Sequence, residues 1–130
     1  MHDTQIWLNE GCQFLTAASG EKKKFSPAIR YNLLAMAFEK FVMAILIHHG
    51  TLPDNHTFSD LLIGLERVVT IDPGMKKTIL RLESSQQICS FTDCFIRELD
   101  EQDLDTMKQI MVDIKALAEQ NCGTNKVTRH

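Results

Sequence analysis

Three histidines, a glutamate inside an apolar run and a basic triplet are the residues of this 130-residue chain whose types and spacing could do chemistry. The histidines are His48, His49 and His56, the glutamate is Glu39, and the triplet is Lys22-Lys23-Lys24. Histidine and cysteine are common zinc ligands, and Cys12, Cys89, Cys94 and Cys122 invite a metal reading. The spacing predicts none. No Cys-x-x-Cys occurs, and Cys89 and Cys94 have no matching second pair. His48 and His49 are adjacent, so on a helix they point about 100° apart and do not share an ion.

Glu39 offers more. It falls in line with Asn32, Met36 and Met43 at helical spacing, within an almost wholly apolar segment. A carboxylate there needs a partner, or it takes up a proton. His56, just ahead of the next helical pattern, is the candidate partner. Lys22, Lys23 and Lys24, with Arg30, are candidate phosphate contacts, although a lysine run more often forms a solvated loop. The chain has no Gly-x-Ser-x-Gly and no glycine-rich phosphate loop. The ligand-binding candidates are therefore Glu39, His56, Lys22, Lys23, Lys24 and Arg30. No catalytic residue, metal ligand or cofactor is assigned.

These residues depend on a helical frame. From Ile29 to Ile47, only Arg30, Asn32, Glu39 and Lys40 are not hydrophobic. A helix apolar nearly all round must be covered on most sides. Ser26 and Pro27 supply its N-cap and first helical position, and Gly50 its stop. Leu33 to Ile47 is too short, and too interrupted by Glu39-Lys40, for a membrane span of roughly 20 residues. A buried core helix is expected instead.

Four other helices follow from spacing. The first covers Asp3 to about Ala18, with Trp7, Leu8, Phe14 and Leu15 on one side; Gly20 and the charged loop Glu21–Lys24 end it. Thr57 with Asp60 resembles an acidic capping box that starts a third helix ending near Thr70. Asp72-Pro73 starts a fourth, striped by Met75, Ile79 and Leu82. Ile88 to Leu99 suits either a helix or an irregular connection. Asp100, Glu101, Asp103 and Asp105 open a fifth at the positive end of its dipole. Leu104, Met107, Met111, Ile114 and Ala118 then repeat at helical spacing up to Gly123. The expected fold is all-α, an up-and-down bundle of four main helices plus a short extra one. Residues 1–122 form its single domain and 123–130 a frayed tail.

Composition bounds the function. Hydrophobic residues make up 44% and charged residues 24%, as in a soluble folded domain. A net charge of -3 argues against coating nucleic acid by bulk charge. The polar, acidic amino terminus is unlike a signal peptide, so the cysteines are expected to be reduced thiols in a cytoplasmic protein.

Trp7-Leu8 and Phe14-Leu15 lead to Ala37-Phe38-Glu39-Lys40-Phe41 and Ala44-Ile45-Leu46. His49-Gly50 follows, then His56 ahead of Phe58 and Leu61-Leu62. This order resembles the HEPN family, the higher eukaryotes and prokaryotes nucleotide-binding domain. The likeness runs from Gln5 to Leu65 and beyond that rests on helix order alone. It implies a bundle of four main helices plus a short one, often a homodimer. The relatives it implies are partners of nucleotidyltransferases, toxin components and ribonucleases. Ribonuclease members carry an Arg followed, after four to six residues, by a His. None of Arg30, Arg67, Arg81 and Arg97 has a histidine at that spacing. The expected function is a non-catalytic module that binds a nucleotide, a nucleic acid or a partner enzyme. The alternatives are a structural homodimer without a small ligand and an atypical ribonuclease using Glu39 or the histidines. A symmetric homodimer is expected because the second helix has more apolar surface than a small bundle covers.

Overall fold

In the computed structural model, Ser26 and Pro27 start the helix on which the rest is built. The structure describes residues 2–20, 25–92 and 101–122, with side chains over 4–20, 25–84 and 101–122. Over these residues it is all-helical: α1 is His2–Ala18, α2 Pro27–His48, α3 Phe58–Glu66, α4 Pro73–Thr92 and α5 Glu101–Asn121. The Lys22–Lys24 run lies outside the described residues, as do 93–100 and the tail from Gly123.

The ends of the helices obey local chemistry. The Ser26 hydroxyl accepts the Ile29 N–H, and Pro27 needs no partner for its nitrogen. At the other end Gly50 takes a left-handed φ of 77°. That turns Thr51 N–H back onto the Leu46 carbonyl and Gly50 N–H onto Ile47, a Schellman closure. The Asp72 carboxylate caps α4 by accepting the Met75 N–H at 2.9 Å.

α3 is shorter than its apolar spacing predicts. It stops at Glu66 because Arg67 and Val68 donate to Gly64 and Leu65, i to i−3 bonds that tighten its last turn. α4 runs on through Thr92, so 88–92 are helical; the remainder of the ambiguous stretch, 93–99, lies outside the described residues.

Helix α2 is the hub. It packs on α1, α3 and α5, while α4 reaches the body through α3 and α5. Leu34, Ala37, Phe38, Phe41, Val42, Ala44, Ile45 and Leu46 are buried along it. α1 comes close because Gly11 has no side chain to hold the Phe41 ring away. Lys40 closes the same contact from outside, paired with Glu10 at 3.0 Å and lying over the Trp7 ring. Arg30 and Glu101 join the first turns of α2 and α5, and His49 and Asn121 join their far ends. The two helices therefore run in the same direction. By length and composition alone α2 could cross a bilayer, but half of its most apolar window is buried against the other helices.

Candidate functional site

α2 presents Glu39 beside the loop that carries His56 into α3. The Glu39 Oε2 and the His56 Nδ1 are hydrogen-bonded. With the carboxylate as acceptor, Nδ1 is the donor, and Nε2 lies on the side of the ring away from Glu39. The pair stands open, with side chains 33% and 55% exposed. Glu39 is thus shared between the bundle and solvent rather than enclosed.

Just beyond His56, the first turn of α3 is tied down from three sides. The Thr57 hydroxyl accepts the Asp60 N–H at 3.1 Å and donates to the Asp60 carboxylate at 3.0 Å. The anticipated capping box therefore closes through the hydroxyl rather than the Thr57 backbone. Glu83, reaching over from α4, accepts the Phe58 N–H at 2.8 Å. Phe58 packs edge-on to Phe38, with ring centroids 5.0 Å apart, and at a tilt to Tyr31. Burial, with the Glu83 carboxylate adding to it, pushes the Tyr31 phenol from 10.0 up to about 12. Glu83 and Tyr31 are not among the sequence-derived candidates. The one signal the sequence carries is a glutamate at the start of a polar stretch, in a helix otherwise striped with apolar residues.

Arg30 belongs to a different place. It is 6% exposed, and its Nη1 donates to both oxygens of Glu101, at 3.0 and 2.9 Å. Its Nε is buried with no partner among the described residues. Arg30 and Glu39 are nine residues apart on one helix, hence about 13.5 Å along it and on opposite faces. The structure brings Glu39 and His56 together and holds Arg30 apart from both. Lys22, Lys23 and Lys24 lie outside the described residues.

Comparison with family models, with curated proteins and with solved structures gives no significant match. What the site can do must therefore be read from its own chemistry. Asp60 and Glu83, both tied to the first turn of α3 beside His56, are acidic, so this end of α3 is a poor seat for phosphate. The positive pole of α3 is already taken by Glu83 and Thr57. Among the described residues no three His, Cys, Asp or Glu side chains gather to hold a metal ion. Cys12 and Cys122 are free thiols on α1 and at the end of α5, and burial pushes the Cys122 thiol up to about 11. Cys94 lies outside the described residues, as does the side chain of Cys89. A shallow groove of ≈ 430 Å³ opens elsewhere, between the start of α4 and α5, lined by Asp72, Met75, Thr78, Thr106, Ile110 and Asp113. It contains none of the sequence-derived candidates.

Proposed function

We propose that this chain is a non-catalytic binding module with the helix order of the HEPN family: α1, α2, α4 and α5 as the up-and-down helices and α3 as the short extra one. On this reading it works as a homodimer and presents a binding surface to a partner protein such as a nucleotidyltransferase. One observation carries the proposal: the central helix keeps Ile29 and Met36 in solvent, 46% and 42% exposed, after all its described neighbours have packed. Such a surface on a long, largely apolar helix is better explained by a partner than by a small polar ligand.

A nucleotide or RNA ligand is the weaker form of the same reading. Arg30, the cation nearest the Lys22–Lys24 run on α2, is buried and committed to Glu101. The Glu39–His56 pair supports a ribonuclease reading only in that a carboxylate-oriented imidazole is half of a general-base relay.

Size exclusion coupled to light scattering, with a thermal-shift screen against nucleotides and short RNAs, tests the proposal. The expected result is a dimer with no nucleotide-dependent shift. A nucleotide at about 100 times its dissociation constant would stabilise the fold by roughly 2.7 kcal/mol. A shift of that size would move the function to nucleotide binding. A monomer would remove the dimer.

A further inference from the structure

One face of α2 stays exposed after its described neighbours have packed. On a helical wheel Asn32 sits at its centre, with Ile29 and Met36 about 50° to one side and Ala28 and Ala35 about 50° to the other. Ile29, Asn32, Met36 and Ala28 are exposed and Ala35 is half-buried. From Pro27 to Met36 the only charged side chain is Arg30, which is buried on the opposite side of the helix. Two and a half turns of α2 thus show solvent an apolar surface without charge. Depletion of charge around apolar residues is the compositional mark of an interface core.

Resting on the dimer reading above, we propose that the face Ala28–Met36 of α2 is the interface, and that its occupant is the same face of a second copy, antiparallel, with the two-fold axis at Asn32. Three features favour a second copy over another partner. A charged face would repel its own image across a two-fold axis, whereas this one carries no charge to repel. Its one polar side chain is a carboxamide, donor and acceptor at once, so it pairs with its own image and leaves no polar group unmatched. A single interfacial Asn of this kind also fixes the register of paired helices. The axis sets Ile29 against Met36 of the second copy, and Ala28 against its Ala35. The alanine edge admits close approach of the two backbones. The antiparallel sense opposes the two helix dipoles.

Asn32→Asp is nearly isosteric and sets two carboxylates against each other at the axis. It is expected to raise the dimer dissociation constant roughly tenfold or more, read by light scattering at a series of concentrations. Val112→Asp, at an exposed position on α5 beyond the far side of α2, is expected to leave the dimer unchanged. Asn32→Cys is expected to give, under mild oxidation, a covalent dimer whose disulfide joins position 32 of one copy to position 32 of the other, found by peptide mass spectrometry. This second variant keeps the test open even if the Asp variant folds poorly. A wild-type monomer at micromolar concentration would overturn both the dimer and this face. A wild-type dimer indifferent to Asn32→Asp, with no cross-link through position 32, would overturn the face alone and leave the dimer standing.

Discussion

His56 and Glu39, seventeen residues apart in the chain, are hydrogen-bonded through Nδ1 and Oε2, and this bond fastens the loop ahead of α3 to the central helix. Both side chains are partly in water, so the pairing is screened and its contribution is modest. Removing either partner, by His56→Ala or Glu39→Gln, is expected to cost about 0.5–1 kcal/mol in urea unfolding. The double variant should cost less than the two singles summed, because both remove one interaction. Strictly additive losses would show that the two residues do not couple in solution.

How Gly11 and Phe41 meet decides how closely α1 lies on α2. A Cβ added at Gly11 would sit 2.6 Å from Cε1 and 2.7 Å from Cδ1 of Phe41, a ring with no exposed surface and no room to turn. Replacing a helical glycine by alanine ordinarily gains about 1 kcal/mol of helix propensity. Here overpacking should outweigh that gain, for a net loss of about 1–3 kcal/mol. Phe41→Leu in the same chain should recover part of the loss, since the shorter side chain makes room. A melting temperature raised by Gly11→Ala alone would contradict this packing.

The features legible in the sequence are those whose cause is local. Ser26-Pro27 and Gly50 bracket α2 because a cap, a fixed φ and a left-handed turn act within a few residues of themselves. Glu39 and His56 can be paired on paper because a carboxylate in an apolar helix has few partners within a short loop. Arg30 cannot be placed that way, since its partner Glu101 lies 71 residues on, across a packing that no spacing reveals. Glu83 is out of reach for the same reason: in sequence it only begins a polar stretch, while in space it caps α3 and faces Tyr31. Spacing overestimates the length of α3 because Val68 and Val69 continue the apolar pattern after Arg67 and Val68 have turned to i−3 bonding.

Tyr31 is the only tyrosine, so its phenolate can be followed by ultraviolet absorbance without interference from another. In the folded chain it should ionise near pH 12, against 10.0 in the unfolded chain. A raised pKa means that the fold favours the neutral phenol. Its contribution to stability is complete below pH 10 and is lost as pH climbs from about 10 towards 12. Tyr31→Phe should flatten the fall in stability over that window. The loss due to Cys122, whose thiol rises from 9.0 to about 11, should remain. Burial is the larger cause, so Glu83→Gln should bring the phenol only part of the way back. A phenol ionising near 10 in the native protein would refute the buried setting.

Glu101 and Arg30 are unequal partners, and this makes the last prediction asymmetric. Glu101 is half in water, whereas the guanidinium is nearly enclosed and its Nε already lacks an acceptor among the described residues. Losing the carboxylate leaves a buried cation with its main counter-charge gone, for which about 1–3 kcal/mol is expected in Glu101→Ala. Losing the cation instead, by Arg30→Met, keeps most of the volume, removes the unsatisfied donor and leaves a carboxylate that water already reaches. That substitution should stay within about 1 kcal/mol of the parent, on either side of it. Urea unfolding of the two variants decides the point: an Arg30→Met loss as large as that of Glu101→Ala would mean that the ion pair itself stabilises the joint between α2 and α5. A small Arg30→Met effect would mean that the burial of Arg30 rests on the apolar packing of its stem, with Glu101 serving to neutralise a charge the fold has already enclosed.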